Sequence, residues 1–487
     1  MEPLPGPADP FPADPECRRS PGPCLERVLT RIVGDHEPGA VILVSTDDGS
    51  WIRARGLAAV EHGLPLGPGT ALDAASMAKQ FTALAVALLE ARGVLGLEDE
   101  VRTHLPEFPF HDPPVRIRHL LHHTSGVRDW PGLLLLAGWR FEDFITHQQI
   151  LRVALEQSDL NFPAGTRTTY SNTGYVLLAE IVARRTGTSF PEFMRREIFE
   201  PLGMVSSMVP LDPSQVVPNR AGSYRVTPDG VRKIPSNLSA WGSSSLFTTA
   251  DDLLRWVAFL QGGTEAVEEL HRAARRLAEE NGSADRLPRY GWGQIVEELH
   301  GHRVLRHGGA WAGYRSALIR LPEEGLAVAV LANRSDLEAD QVAEQVLGLF
   351  LPPTGHIPDG SDVDGPPPPS RTGTDDGTRP MVGPVEEPAT GGVDRERESP
   401  EIDLNQYQGE YRSVELESTF TLNPVGEALL ATHLRLGHHW VEPVGPDHFR
   451  SAVFCEVRFE RDSEGRLVGF VAHQPRNRDI RFRRISP

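Results

Sequence analysis

The chain has 487 residues, about three times the length of a typical single domain, so it has room for an enzyme core and a second module. Its hydrophobic fraction of 39% is that of a globular protein and excludes a wholly disordered chain. A formal charge of −18 repels phosphate backbones and anionic lipid headgroups, so we expect no nucleic-acid partner and no membrane partner.

The first segment, residues 1–24, is predicted to be flexible. Met1–Pro23 is rich in Pro and Asp and lacks the basic patch and apolar run of a secretory signal, and no segment has eighteen unbroken apolar residues. These features predict a cytoplasmic protein. The cysteines are Cys17, Cys24 and Cys455, an odd number, which excludes a disulfide scaffold and a four-thiolate zinc site.

Residues 25–353 combine helix-like and strand-like segments. Apolar residues at helical spacing predict helices over Phe81–Arg92, Gly174–Arg185 and Asp251–Leu260. Short apolar runs predict strands over Ala40–Thr46, Ala317–Leu321 and Leu326–Ala332. This mixture indicates an α/β or α+β domain.

A Ser-Met-Ala-Lys sequence at 76–79 directly precedes the apolar run Phe81–Leu89. Positions three apart share a helix face, so the amine of Lys79 can reach the hydroxyl of Ser76. Burial of the helix favours a neutral lysine that can take the serine proton. The structural alternative is that Ser76 is only a helix N-cap. The chain has only one other lysine, Lys233, so a lysine at this spacing favours the catalytic interpretation.

Three histidines follow on one predicted helix. His119 and His123 have the four-residue spacing of a zinc-binding helix, but Leu120 stands where such a motif has a glutamate. We therefore favour a scaffold role for His119, His122 and His123 and predict no metal.

The sequence Tyr170-Ser171-Asn172 lies on a predicted loop before the helix that begins near Gly174. Three polar residues at a helix start can simply be caps. The chemical interpretation is that the phenol of Tyr170 relays a proton to the leaving group and that the amide of Asn172 holds the substrate and the lysine.

The sequence His307-Gly308-Gly309 lies between strand-like Arg303–Arg306 and a strand that begins near Tyr314. Two glycines let a backbone pass close to a ligand, as an edge strand beside a cleft requires. A simple turn explains the same residues equally well.

Residues 354–403 are predicted to be an acidic linker, because twelve Asp or Glu and four Arg lie between Gly355 and Asp403 with few large apolar residues. Residues 404–487 instead show short alternating runs separated by turn signals. They predict a small all-β barrel.

In this order, the three motifs resemble the serine β-lactamase and penicillin-recognising family, in its class C-like branch of β-lactamases, D-aminopeptidases and esterases. The resemblance covers about residues 25–350 and includes Ile117–Gly126, Glu200–Met204 and Ser244–Trp256. It implies a β-lactamase/transpeptidase-like antiparallel sheet with flanking helices and a helical subdomain. The C-terminal segment, with Gly409–Tyr411 and Phe420–Leu422, resembles lipocalin-like barrels appended to some D-aminopeptidase-like members.

The resemblance also implies roles for single residues. They are Ser76 as nucleophile, Lys79 as base, Tyr170 as acid/base partner, Asn172 as positioning amide, His307 and Gly309 as substrate-binding residues, and the backbone amides of Ser76 and Ala310 as oxyanion donors. His307 stands where β-lactam-binding members usually carry a lysine, and histidine is mostly neutral at pH 7. D-Aminopeptidase or esterase activity is therefore favoured over β-lactamase activity.

The sequence thus predicts a serine hydrolase that forms an acyl-enzyme with a small amide, a D-residue peptide or an ester, without a metal or organic cofactor. A small molecule or short peptide is the expected partner, and the barrel is expected to shape the entrance to the cleft. Two alternatives remain, a silent receptor with the same fold and a zinc-dependent hydrolase.

Overall fold

The computed structural model describes residues 15–262, 268–279, 289–299, 301–351 and 402–486. Residues 1–14 of the predicted flexible segment and residues 354–401 of the predicted linker lie outside these ranges. The chain divides into two units that alternate along the sequence. Unit 1 comprises Met1–Leu95 and Val182–Arg379, and unit 2 comprises Gly96–Ile181 and Pro380–Pro487.

The helices in chain order are α1 (Pro15–Arg19), α2 (Pro21–Ile32), α3 (Ala78–Ala91), α4 (Val101–His104), α5 (Ile117–Leu121), α6 (Trp130–Leu136), α7 (His147–Leu155), α8 (Asn172–Thr186), α9 (Phe190–Met194), α10 (Ala250–Leu260), α11 (Glu268–Glu279) and α12 (Ala339–Phe350). Among the described residues, no helix combines the length and the apolar character needed to cross a membrane.

The strands of unit 1 are β1 (Ala40–Thr46), β2 (Gly49–Arg55), β3 (Leu57–Ala59), β4 (Leu64–Pro65), β5 (Leu72–Asp73), β6 (Tyr224–Thr227), β7 (Gly230–Lys233), β8 (Phe247–Thr248), β9 (Arg289–Gly291), β10 (Gln294–Leu299), β11 (His302–Trp311), β12 (Tyr314–Leu321) and β13 (Leu326–Ala332). The strands of unit 2 are β14 (Gly409–Ser413), β15 (Ser418–Val425), β16 (Ala428–His433), β17 (Gly437–Gly445), β18 (His448–Ser451), β19 (Cys455–Arg461), β20 (Leu467–Gln474) and β21 (Asn477–Ser486).

The core of unit 1 is an antiparallel sheet with the strand order β2-β1-β13-β12-β11-β10-β9. All of β13 and all of β1 except Thr46 are buried, as continuous apolar runs predict. One face packs on α2 and α12 through apolar side chains that include Leu29, Val330 and Val346. This sheet with its flanking helices confirms the predicted fold class.

The N-terminal part of unit 1 differs from the prediction. Residues 15–24 were expected to be flexible, but they form α1 and the start of α2. Cys17 and Cys24 form a disulfide that the cysteine count did not reveal. The segment is ordered because α2 buries Leu25 in the core and because Arg18 donates a hydrogen bond to the carbonyl of Phe350 (2.9 Å).

Unit 2 combines a helical part with a closed antiparallel barrel of β14–β21. The barrel interior contains a cluster of contacting aromatic rings, among them Phe420, Phe454, Phe470 and Phe482. The helical part and the barrel contact each other. Buried Arg128 donates to Glu415 (2.9 Å), and Ser418 donates to the carbonyl of Leu136 (2.7 Å). The predicted helical subdomain and the predicted barrel are both confirmed.

Candidate active site

Ser76 and Lys79 are brought together at the start of α3. Ser76 lies in the 3₁₀ turn Ala75–Met77, which leads directly into the helix. The Nζ atom of Lys79 is 3.1 Å from Oγ of Ser76 and donates to the carbonyl of Ser243 at 2.7 Å. Lys79 is fully buried, whereas Ser76 keeps 7% of its surface exposed. The amine is therefore within proton-transfer distance of the serine hydroxyl, as the three-residue spacing predicts.

The turn before Ser76 has an unusual backbone. Ala75 has a φ of 46°, a left-handed conformation that is unfavourable for a residue with a Cβ. The carboxylate of Asp73 accepts the backbone N–H of Ala75 (2.8 Å), and Ser316 donates to the carbonyl of Ala74 (2.7 Å). Burial raises the pKa of Asp73 to about 6. These contacts hold the strained turn that carries Ser76.

Strand β11 passes directly beside this turn. A Cβ atom at Gly309 would lie 2.8 Å from the backbone nitrogen of Ser76 and 2.5 Å from the carbonyl oxygen of Ala74. The predicted close approach is therefore present, although the residues lie within a strand and not in a turn. In the described part of the sheet, pairing with β10 ends at Arg306, whereas pairing with β12 continues to Trp311. The oxyanion role of the Ser76 and Ala310 amides stays a prediction.

His307 is fully buried. Its Nε2 atom is 3.0 Å from the hydroxyl of Tyr290. Burial lowers the pKa of His307 to about 3. His307 is therefore neutral at pH 7 and carries no cation for a substrate carboxylate.

The Tyr170 motif lies in unit 2, where Asn172 is the first residue of α8. The carboxylate of buried Asp129 accepts the backbone N–H groups of Asn172 (2.6 Å) and Thr173 (3.3 Å) and the side-chain amide of Asn172 (3.0 Å). A negative charge at this position also interacts favourably with the helix dipole. Asp129 thus fixes both the backbone and the side chain of Asn172.

The ring of Tyr170 has two neighbours within unit 2. The imidazole of His123 lies 4.3 Å from it between ring centroids, and the guanidinium of Arg476 lies 4.9 Å from its centroid. His123 also accepts the backbone N–H of Ser171 at Nδ1 (3.2 Å). A histidine that the sequence assigned to the scaffold is therefore a packing partner of the motif.

The three histidines do not form the face of a zinc helix. Helix α5 ends at Leu121, and His123 has a φ of 57°, so His119 and His123 do not follow one helical path. The Nδ1 atom of His119 accepts the N–H of Arg116 (3.1 Å). Across the described residues, no group of three or more His, Cys, Asp or Glu is arranged to hold a metal ion.

The predicted residues thus fall in two places. Unit 1 contains Ser76, Lys79, His307, Gly309 and Ala310, and unit 2 contains Tyr170 and Asn172.

Five residues that contact the predicted site were missed by sequence reasoning, namely Asp73, Ser243, Tyr290, Asp129 and Arg476. A signal existed for Asp129, because an Asp before Trp130-Pro131 is typical of an N-cap, but its carboxylate caps α8 and not α6. Arg476 gave no local signal, because it contacts Asp129 across 347 residues of sequence.

Comparison with known proteins identifies the family of this chain and several of its relatives. A family model described as Beta-lactamase matches residues 25–349. A D-aminopeptidase from Gluconobacter oxydans (strain 621H) is 30% identical over 318 residues, covering 64% of this chain and 59% of that protein, less than two thirds of its length. Penicillin-binding protein 4* from Bacillus subtilis (strain 168) is 29% identical over 330 residues, covering 63% of this chain and 72% of that protein.

Solved structures show the same fold. The octameric penicillin-binding protein homologue from Pyrococcus abyssi has a TM-score of 0.59 at 21% identity, covering 92% of this chain and 96% of that chain. The D-amino acid amidase from Ochrobactrum anthropi SV3, complexed with L-phenylalanine amide, has a TM-score of 0.57 at 21% identity, covering 67% of this chain and 97% of that chain. Because the family model matches well over half of the sequence, the chain belongs to the Beta-lactamase family.

Proposed function

We propose that this protein is a serine hydrolase that forms an acyl-enzyme on Ser76. The observation that carries the proposal is the 3.1 Å separation of Lys79 Nζ from Ser76 Oγ. A second contact, to the carbonyl of Ser243, orients the same amine. A receptor that only binds a ligand has no need of a buried amine beside a serine hydroxyl, so this geometry favours turnover over silent binding.

The proposed reaction has two halves. In acylation, Ser76 Oγ attacks the carbonyl carbon of the substrate while its proton moves to Lys79 Nζ. The bond to the leaving group breaks as Tyr170 relays this proton to that group, which leaves Lys79 neutral again. In deacylation, water attacks the ester carbonyl, the acid leaves, and Ser76 Oγ regains a proton. The backbone amides of Ser76 and Ala310 are assigned to the oxyanion, where the loss of one donor typically costs about 10²–10³-fold in rate.

The roles of Tyr170 and Asn172 belong to the same proposal. Tyr170 is assigned the proton transfer to the leaving group, and Asn172 is assigned the positioning of substrate and lysine. The fixed side chain of Asn172 supports this assignment, because an amide bound to Asp129 has a defined orientation.

We propose a small amide, a peptide with a D-residue or an ester as substrate. The relatives named D-aminopeptidase and D-amino acid amidase favour an amide with a D-residue. His307, assigned to substrate binding by the family resemblance, is buried and has a pKa of about 3, so it supplies no cation for the carboxylate of a β-lactam. We therefore expect D-amino-acid amides to be cleaved faster than β-lactams.

Intact-mass spectrometry after exposure to a fluorophosphonate probe tests the proposal. Wild type should carry a single adduct, and Ser76→Ala and Lys79→Ala should carry none. Ser50→Ala, at an exposed serine of β2, is the matched control and should be labelled like wild type. If wild type is labelled, fresh enzyme that has not met the probe would then be screened with D-amino-acid amides, esters and β-lactams.

The outcomes separate the candidate functions. An unlabelled but folded wild type would reject the hydrolase and leave the receptor. An adduct that persists in Ser76→Ala would place the nucleophile elsewhere. Activity that a chelator abolishes would favour the zinc-dependent hydrolase.

A cytoplasmic location is a further part of the proposal. The disulfide between Cys17 and Cys24 sets its test, because cytosolic thiols are usually kept reduced. Because both cysteines are buried in the folded chain, cells should be quenched with acid and the denatured protein alkylated without a reductant. Alkylated Cys17 and Cys24 would agree with the cytoplasm, whereas protected cysteines would indicate an oxidising compartment.

A further inference from the structure

The hairpin that joins β20 and β21 of the barrel lies against the helical part of unit 2. Asn477 donates from its side-chain amide to the carbonyl of Asp129 (3.1 Å) and accepts the N–H of Asp129 (2.6 Å). At Gly132, a Cβ atom would lie 2.1 Å from the side-chain oxygen of Gln474 and 2.2 Å from the side-chain nitrogen of Asn477. The hairpin and the start of α6 are therefore in close contact.

Arg476, in the same hairpin, forms a buried ion pair. Its Nη1 atom is 3.2 Å from Oδ2 of Asp129, and the two side chains are 4% and 0% exposed. The cost of burying two charges is offset only when the pair is well aligned and hydrogen-bonded. Asp129 meets this condition, because its carboxylate also accepts hydrogen bonds from Asn172 and Thr173. The charge of Arg476 therefore balances the carboxylate that fixes Asn172.

Arg476 reaches the second residue of the motif as well. Its guanidinium lies over the ring of Tyr170 at 4.9 Å from the centroid, the arrangement of a cation–π contact. A guanidinium is planar and weakly hydrated, so it suits a buried site that combines a carboxylate with an aromatic face. One barrel side chain thus contacts Tyr170 directly and Asn172 through Asp129.

We propose that Arg476 and Asn477 are positioning residues for Tyr170 and Asn172, so that the barrel completes the catalytic motif of the helical part. The proposal rests on the proposed function where it assigns catalysis to Tyr170 and Asn172. It requires no contact between the barrel and the substrate.

The test compares Arg476→Met with Arg481→Met in the full chain. Arg481 belongs to the same barrel but pairs with Asp159 of the helical part, at 3.0 Å. Its substitution is therefore the matched control. Hydrogen–deuterium exchange gives the exchange rates of the backbone amides of Asn172 and Thr173. Steady-state kinetics on the substrate found in the screen gives kcat and KM separately.

In Arg476→Met, we expect these two amides to exchange at least about tenfold faster and kcat to fall at least about tenfold with a smaller change in KM, since an interaction with a charged group is lost. In Arg481→Met, both quantities should stay within about twofold of wild type, as is usual for an exposed pair. Arg476→Lys should have an intermediate kcat, because a lysine keeps the charge beside Asp129 but not the planar group over Tyr170.

Unchanged exchange of Asn172 and Thr173 in folded Arg476→Met would overturn the proposal, whatever the activity. Faster exchange with unchanged kcat would also overturn it, because the contact would then only stabilise the fold. If Arg476→Met does not fold, Arg476→Lys and Arg481→Lys replace the pair, and equal kcat values would reject the proposal. Failure of the proposed function is detected separately, by the absence of a fluorophosphonate adduct on wild type.

Discussion

The two units hold their predicted catalytic residues with different kinds of buried aspartate. In unit 1, Asp73 binds the N–H of Ala75, two residues away and next to Ser76. In unit 2, Asp129 binds the N–H and the side chain of Asn172, more than forty residues away. The first contact is set by local sequence, whereas the second exists only after the chain has folded.

The two carboxyl groups also differ in which neighbouring groups offset the cost of burying a charge. Burial raises the pKa of Asp73 to about 6, and the hydrogen bond from the Ala75 N–H and the charge of Arg220 oppose this only in part. Asp129 instead has an ion pair with Arg476 of the barrel. The turn that carries Ser76 therefore depends on close backbone packing beside Asp73, whose raised pKa makes it easy to protonate. The Tyr170 motif depends on a paired charge supplied by another part of the chain.

The largest expected effect is a loss of activity caused by disturbing the backbone packing of unit 1. Gly309→Ala would place a Cβ atom 2.8 Å from the backbone nitrogen of Ser76, so the proposed nucleophile and one of the proposed oxyanion donors must move. We expect kcat/KM to fall by at least about 10⁴-fold, roughly 5.5 kcal/mol, because both displacements reduce the rate. In Gly67→Ala, the new Cβ meets Thr70 only at 4.0 Å, so this control should keep its activity. Equal rates for the two variants would show that β11 does not constrain Ser76.

The next largest effect is a loss of stability caused by removing the carboxylate from the buried ion pair of unit 2. Asp129→Asn leaves the guanidinium of Arg476 buried without its carboxylate, which typically costs about 4 kcal/mol of unfolding free energy. Asp143→Asn is the control, because Asp143 pairs with the more exposed Arg435 and should cost less than about 1 kcal/mol. Urea unfolding measures both values. A similar loss in both variants would contradict the role given to the buried pair.

The smallest effect is the pH dependence that Asp73 confers. Its pKa of about 6 in the folded protein lies above the usual 3.8, so the native state binds the extra proton and stability falls as pH rises from about 4 to 6. A shift of about two pKa units corresponds to roughly 3 kcal/mol. The unfolding free energy of Asp73→Asn should therefore gain about this amount relative to wild type between pH 4 and pH 7. The exposed control Asp48→Asn should follow the wild-type pH profile, and parallel profiles for Asp73→Asn and wild type would contradict the prediction.

Much of the fold could be predicted, because its signals are local. The apolar runs of β1 and β13 gave their bounds, and alternating residues indicated the C-terminal barrel. The ends of elements were less well predicted. For example, α3 begins at Ala78 and not at Phe81, because the turn that carries Ser76 continues into the helix. The ordered residues 15–24 were missed, because their order depends on packing against distant parts of unit 1.

Sequence alone determined the pairing of Ser76 with Lys79, since three-residue spacing on a helix brings two side chains together in any fold. It also indicated the close approach of β11, since only glycine leaves room there. Only the tertiary structure revealed Tyr290 beside His307 and Arg476 beside Asp129 and Tyr170. Tyr290 is 17 residues from His307, and Arg476 is 347 residues from Asp129. A buried polar group selects its partner by the space and charge around it after folding, which no local pattern records.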